Sequence, residues 1–493
     1  MQLEELVAPL ALQKVAGDKK TEITGIEIDS RLVKPGDLFI CLPGFTVDGH
    51  NFVAKAVSQG AVAVLAQRPV ETDVPVIYVP DTRRAMAVLA DRFFGQPTHQ
   101  LHVIGVTGTN GKTTTTHLIE RILGEAGHPT GIIGTIEMRM GKDVREVKNT
   151  TPEALDLHRS FRWMKDMGAE YAAIEVSSHA LDMGRVRGVR FVTGVFTNLT
   201  QDHLDYHETM EKYQQAKGLL FSQLGNEYDR ERMKYAVLNA DDPASEAFAR
   251  ITPAQVITYG IHQEADVRAR NIAITAFGTT FTLETFVGSI DVTLRMIGNF
   301  NVYNVLAAAS ACLVEGISLE QMKHTLEKIE GVRGRFERVD AGQDYTVIVD
   351  YAHTPDSLEN VLKTIREFAE AKVYCIVGCG GDRDRTKRPI MASIAARYAD
   401  VAVITSDNPR SEEPQAIIDE MIAGLVADNV GEERYTAYVD RREAIRETIH
   451  RANPKDVVLI AGKGHETYQI LKDKTIHFDD KEEAYQAILE KKK

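Results

Sequence analysis

The stretch "GVTGTNGKTTTTH" (residues 105–117) has the residue types needed to hold a polyphosphate. Gly108 and Gly111 let backbone N–H groups turn toward an anion, and a helix N-terminus adds positive partial charge. Lys112 supplies a point charge for β- and γ-phosphates, and Thr113 a hydroxyl for Mg²⁺. Thr109, Asn110 and Thr114 complete the loop. The upstream glycines, Gly105 and Gly108, miss the strict G-x-x-x-x-G-K-[ST] spacing by one residue. Read without a ligand, the same stretch is a Gly-rich turn. A switch GTPase would carry a guanine-reading "NKxD" downstream, and none follows.

A second concentration of charge lies near the other end. "GCGGDRDRTKRP" (378–389), "ITSDNPRSEEP" (404–414) and "GKGHE" (462–466) mix glycine with both signs of charge. Around the rigid Pro409 stand Asp407, Asn408 and Arg410. A guanidinium holds a carboxylate bidentately, and acidic or amide oxygens hold an ammonium, so this set suits a zwitterion. The same four residues also fit a helix-entry turn, with Asp or Asn as cap and Pro in the first turn. Between the two clusters, Glu175 follows the apolar "YAAI", a strand-end position that suits a metal carboxylate. His203 and His207 have i, i+4 spacing but lack the "HExxH" of a zinc helix.

These residues need elements to position them. "LHVIGVTG", "YAAIEVSS", "VTGVFTNL" and "YAVLNADD" are apolar runs that end in polar groups, the pattern of a parallel sheet wrapped by helices. Residues 266–295 alternate, which predicts an antiparallel patch. From about residue 333 the rhythm restarts with "YTVIVDY", "KVYCIVG", "VAVITSD", "YTAYV" and "DVVLIAG", the first four each followed by a helical segment. In such sheets ligands bind beyond the carboxyl ends of the strands, so the three charged loops are expected to share one rim. Residues 1–99 hold shorter β-like pieces and end in a linker-like "FGQPTHQ". The fold expected is α/β in three domains: 1–99, a separate α/β domain; 100–332, a P-loop ATPase-like parallel sheet; and 333–493, Rossmann-like.

Composition sets the outer limits. The chain has 493 residues, 43% hydrophobic and 26% charged, which suits a soluble globular protein of several domains. A net charge of −13 argues against a general nucleic-acid binder. No basic start precedes an apolar run at the N-terminus, and no run approaches a membrane span. The four cysteines are too few and too scattered for a disulfide scaffold, so reduced thiols in a cytoplasmic monomer are expected.

"TGTNGKTT", "EVSSHAL" (175–181), "TNLTQDHLDYH" (197–207), "YQQAKGLLF" (213–221), "GNFNVYNVLAA" (298–308), "GVRGRFE" (331–337) and "DYAHTP" (350–355) together resemble the Mur ligase family, in family order and along essentially the whole chain. "DSRLVKPGDLFICLPGFTVDGH" (29–50) resembles that family's uridine-nucleotide domain. The resemblance implies an ATP-dependent amide ligase of peptidoglycan precursor synthesis: the γ-phosphoryl group moves to a carboxylate, an amine attacks the acyl phosphate, and ADP and phosphate leave. It implies Thr113 and Glu175 as ligands of one Mg²⁺, and His203 with a carbamylated Lys217 at a second. Asn301, Asn304, Arg335 and Asp350 resemble the contacts to adenosine, and "GVRGRFE" an interdomain hinge. Ser30, Asn149, Thr150, Thr151, Ser177 and Arg185 match contacts to the UDP-sugar-peptide, with Met183 where the family often has glutamine.

Within the family, "DNPR" resembles the signature of members that add meso-diaminopimelate to UDP-N-acetylmuramoyl-L-alanyl-D-glutamate. Arg383, Gly462 and Glu466 match the other contacts to that amino acid. A lysine-adding member has less use for Arg410, because its substrate lacks the second carboxylate. A folylpolyglutamate synthase type would lack the separate domain at 1–99, and a non-catalytic nucleotide scaffold would not need Glu175, His203 and Lys217.

Overall fold

The computed structural model describes residues 1–44, 47–147, 149–228, 233–275 and 277–492. Phe45 and Thr46, inside the N-terminal stretch quoted above, and Ala276, inside the alternating segment, lie outside the described residues. Three sheets, each wrapped by helices, make three α/β domains in chain order.

The first sheet has five strands, with Lys14–Ala16 antiparallel at one edge and the other four parallel. Its core is continuous with the next domain: Leu6, Met86 and Leu89 pack in one cluster with Ala154 and Leu155. Arg83 also pairs with Glu153 at 2.7 Å. The segment read as a linker is docked rather than loose. Pro97–His99 forms a 3-10 turn, Thr98 is 1% exposed, and its Oγ1 accepts from the Arg190 N–H at 3.2 Å.

The central sheet has eleven strands. Its parallel middle runs Val267–Thr275, Gln255–Gly260, Tyr235–Asn239, Phe191–Phe196, His102–Thr107, Tyr171–Glu175 and Thr130–Ile133. The alternating segment is antiparallel as its pattern predicts. It does not stand apart, however: Gly278–Thr285 and Gly288–Leu294 extend the same sheet. A second antiparallel extension, Met138–Met140 with Asp143–Arg145, covers the opposite edge. Lys112–Glu125 is helical despite four consecutive β-branched threonines, whose stiff side chains weaken a helix. Burial overrides that local cost: Thr113–Thr116, Leu118, Ile119, Ile122 and Leu123 are all buried.

The third sheet orders its strands as Glu337–Val339, Thr346–Asp350, Val457–Ala461, Val373–Cys379, Val401–Ser406 and Tyr435–Tyr438; only the first is antiparallel. Helices follow four of these strands, at Pro355–Phe368, Lys387–Tyr398, Pro414–Ala427 and Arg441–Arg451. Cys41, Cys312, Cys375 and Cys379 are all free and buried. Burial pushes the thiols of Cys41, Cys375 and Cys379 up to about 12. Among the described residues no helix is long and apolar enough to cross a membrane.

Candidate functional site

The carboxyl ends of the central strands open into a cavity of about 550 Å³, within the range of nucleotide-sized sites. Its floor is the phosphate-type loop. Gly108 has φ +150 and Gly111 φ +83; a Cβ at the first would lie 1.8 Å from Thr197 Oγ1, and at the second 2.3 Å from Asn304 Oδ1. Both positions therefore require glycine. Gly105 serves another purpose. It lies in the strand, where a Cβ would meet the Phe191 ring at 2.7 Å. It is a packing glycine, which explains the missed spacing.

Two lysines, one half-buried and one buried, converge on one carbonyl. Lys112 Nζ donates to Gly108 O at 2.9 Å and to Thr109 O at 2.7 Å, and Lys217 Nζ donates to the same Gly108 O at 2.7 Å. Lys217 is 1% exposed and sits 4.4 Å over the Tyr213 ring. Burial, and then the charge of Lys112, hold its amine well below the ordinary lysine range. Burial also lowers Lys112.

Beside them, Thr113 Oγ1 donates to Glu175 Oε2 at 3.0 Å. Glu175 is 1% exposed at its strand end, and the backbone and hydroxyl of Thr135 also donate to it. These are hard oxygen donors of the kind Mg²⁺ takes alongside phosphates. His203 sits at φ +54, before the one-turn helix Leu204–His207, so the i, i+4 pair does not share a helical face. His207 turns inward, its Nε2 2.9 Å from Ser178 Oγ. His203 lines the cavity with Nε2 3.3 Å from Asp202, and burial lowers its imidazole to about 4. Among the described residues no three His, Cys, Asp or Glu side chains group as a metal site.

The third domain closes the cavity. Arg335 Nη2 donates to Thr113 Oγ1 at 3.0 Å, and its guanidinium lies 4.6 Å over the Tyr351 ring. Asp350 accepts from the N–H groups of Phe336 and Ala352 at 2.6 and 2.7 Å, while burial raises its carboxyl to about 6. Asn304 lines the cavity; Asn301 stands behind it, donating to Ile297 O at 2.9 Å. Asp356 was not legible in the sequence. It accepts from Asn110 Nδ2 at 2.8 Å and from Thr200 Oγ1 at 3.0 Å, joining the third domain to the phosphate loop. In the expected hinge, a Cβ at Gly331 would meet open space, whereas one at Gly334 would lie 2.1 Å from His465 N.

The residues expected to face a UDP-sugar-peptide are only partly together. Thr150 and Ser177 line the cavity. Thr151 is buried and donates to Glu175 O at 2.9 Å, and Arg185 donates to Thr151 O and contacts Met183 Sδ at 3.4 Å. Asn149 is exposed and Ser30 is buried; neither lines the cavity.

The three charged loops do meet on one rim. Gly381 N–H donates to Asn408 O at 2.9 Å, and a Cβ at Gly381 would lie 1.9 Å from Pro409 O. Asn408 is 3% exposed, and its side chain is committed to Glu466, Lys463 and the Ile470 N–H. It therefore ties loops together and leaves no free amide group facing out. Arg383 and Arg410 contrast with Arg385 and Arg388, which pair with Glu412. Arg383 donates to Asp382 O, and Arg410, at φ +53, to the carbonyls of Gly381 and Asn408; neither pairs with a carboxylate of the described residues. Asp407 Oδ2 and Glu466 Oε1 likewise take no hydrogen bond from the described residues. A Cβ at Gly462 would stand 2.8 Å from that Asp407 oxygen. The rim thus presents two guanidiniums and two carboxylate oxygens. It connects to the cavity through Tyr351, whose ring packs 5.0 Å from that of His465, next to Glu466.

Three stretches of the chain match known family models. Residues 22–94 match the Mur ligase family catalytic domain, 106–312 the Mur ligase middle domain, and 334–464 the Mur ligase glutamate ligase domain. UDP-N-acetylmuramoyl-L-alanyl-D-glutamate--2,6-diaminopimelate ligase of Bacillus cereus is 57% identical, over 99% of this chain and 98% of the relative. The enzyme of the same name from Geobacillus thermodenitrificans is 56% identical over the full length of both. A solved structure of a ligase with that name is 33% identical with a TM-score of 0.71, covering 100% of this chain and 99% of the other.

Proposed function

The chain belongs to the Mur ligase family, and from that premise we propose that it adds meso-diaminopimelate to UDP-N-acetylmuramoyl-L-alanyl-D-glutamate, consuming ATP, in cytoplasmic peptidoglycan precursor synthesis. The observation that carries this reading is one line of contacts. Thr113 of the phosphate loop touches Arg335, Arg335 covers Tyr351, and Tyr351 packs on His465 beside the charged rim. A phosphoryl group held at one end and an amine held at the other would meet along it.

A carboxylate is a poor electrophile. Transfer of the γ-phosphoryl group to the D-glutamyl γ-carboxylate provides a leaving group; the amine then attacks the acyl carbon, the C–O bond breaks, phosphate departs and the nitrogen loses a proton. Lys112, Arg335 and the N–H groups of residues 111–114 neutralise charge in this reading, with no reorganisation at the moment of reaction. Asn304, Arg335 and Asp350 bind the adenosine part, with Asn301 holding Asn304 in place. Thr113 and Glu175 suit Mg²⁺, which when bound screens the phosphates from the attacking carboxylate.

As an ammonium, Lys217 does not fit beside a cation; as a carbamate it does. Its neutral amine would attack CO₂, forming an N–C bond, turning one C=O into C–O⁻ and releasing a proton. Burial favours the neutral amine that this step requires. His203 completes the second site. Intact-protein mass with and without bicarbonate tests the modification, and full activity of an unmodified chain would end it.

On the rim, Arg383 and Arg410 take the far carboxylate of diaminopimelate, and Asp407 and Glu466 its ammonium. The division 1–99, 100–332 and 333–493 then separates uridine nucleotide, ATP and amino acid. Phosphate release with ATP, Mg²⁺ and UDP-N-acetylmuramoyl-L-alanyl-D-glutamate, comparing meso-diaminopimelate with L-lysine, tests the whole. Diaminopimelate-dependent release with a tripeptide product supports it; preference for lysine overturns the specificity, and release with neither overturns the substrate.

A further inference from the structure

Lys463 is 0% exposed, in the loop that follows the strand Val457–Ala461. Its Nζ donates to Glu466 Oε2 at 3.0 Å within its own loop, and to Asn408 Oδ1 at 3.1 Å across to the neighbouring one. Asn408 Nδ2 donates to the same Glu466 oxygen at 2.9 Å. The three side chains form a closed triangle.

The triangle has a direction. Both of its donors act on Oε2 of Glu466, and Oε1 takes no hydrogen bond from the described residues. The carboxylate is therefore held by one oxygen and offers the other. Asn408 carries the constraint further: its main-chain carbonyl accepts from Gly381 N–H and from Arg410 Nη1. One buried ammonium thus fixes both the carboxylate and the loop that aims Arg410. Taking a lysine fully out of water is costly, and a fold needing only a loop tie could use a neutral pair. An ammonium adds several donors on one atom, which lets it bridge two loops at once.

We propose that Lys463 is a positioning residue for the amino-acid substrate: through Asn408 and Glu466 it holds the two loops in register, so that Glu466 Oε1 and the Arg410 guanidinium face the same ligand. This rests on the assignment of the rim to the incoming amino acid.

The test is steady-state phosphate release by the full chain, with ATP, Mg²⁺ and the UDP-dipeptide saturating and meso-diaminopimelate varied. Lys463→Met raises KM for diaminopimelate about tenfold, the worth of one charge-assisted hydrogen bond. Its kcat stays within about threefold and its KM for ATP is unchanged, because the triangle touches neither the phosphate loop nor the reacting atoms. In a Glu466→Gln background the same substitution costs less, since part of what Lys463 orients is already gone. An unchanged KM, or a fall in kcat with KM constant, overturns the proposal. If Lys463→Met does not fold, Lys463→Gln is measured; if neither folds, Lys463 holds the fold and the proposal fails. Wild-type protein without diaminopimelate-dependent release would instead sink the assignment of the rim, a result read before any variant is made.

Discussion

The phosphate loop and the charged rim solve opposite problems with the same residue types. In the loop, the half-buried Lys112 and the buried Lys217 meet on one carbonyl, and neither hydrogen-bonds to a carboxylate of the described residues. On the rim, buried cations come with their counter-charges. Arg388, 0% exposed, is held by Glu412 and Glu420, and Lys463 by Glu466. The first region keeps a surplus of positive charge that a polyphosphate satisfies. The second neutralises much of its scaffold and leaves Arg383 and Arg410 without carboxylate partners among the described residues. In the proposed reading, a cation that is costly to the fold serves the chemistry in one place, and a cation spared from pairing serves recognition in the other.

The contrast is broken most directly at Lys112. Lys112→Met is expected to lower phosphate release about 10³-fold, as loss of a preorganised charge does. Its melting temperature should stay level, because this half-buried ammonium leaves no carboxylate unpaired behind it. A fall of several degrees in a thermal melt would show that Lys112 holds the loop together instead.

Arg388→Met is the counterpart. It strips a buried guanidinium from two carboxylates and should cost about 3 kcal/mol of stability in urea unfolding. The loop 380–388 loosens with it, so KM for diaminopimelate rises while KM for ATP holds. Equal loss of both would mean that the rim and the loop are not energetically separate.

Arg410→Lys leaves a charge but loses the planar fork, and should raise KM for diaminopimelate about tenfold with little change in kcat. Wild-type kinetics would reduce Arg410 to a turn residue.

A further test concerns Lys217 in CO₂-free buffer. Its amine lies well below the ordinary lysine value of 10.5 when folded. Between those two values the unfolded chain binds more protons than the folded one, so stability rises with pH. Relative to Lys217→Met, wild type should gain at most about 1.4 kcal/mol per pH unit in urea midpoints compared at pH 7 and 9. A slope of the opposite sign would mean that Lys217 is paired after all.

Much of this was legible in the chain itself. Strands ending in Glu175, Thr197 and Asp350 announce a site at their carboxyl ends because apolar runs and polar tips are local signals. The meeting of three loops on one rim follows from sheet topology alone. What the sequence hid is what depends on partners far along the chain. Asp356 reads as a helix-start residue until Asn110, 246 positions away, is seen to bond it. Asn301 and Asn304 share a helix face by spacing, yet only Asn304 lines the cavity, because the Asn301 amide is spent on Ile297 O just before its own helix. Lys463 looks like a surface lysine between two glycines. Its burial is set by Tyr468, Asn408 and Glu466 together.

The four cysteines, each buried, bear on how this molecule can be watched. A thiol raised by burial and shielded from solvent should not react with maleimide dyes in the folded state. Single cysteines placed on the exposed faces of the first and third domains can therefore carry a donor and an acceptor fluorophore on the native background. Energy transfer between them would follow bending at Gly331 during turnover in a chain whose own sulfurs stay silent.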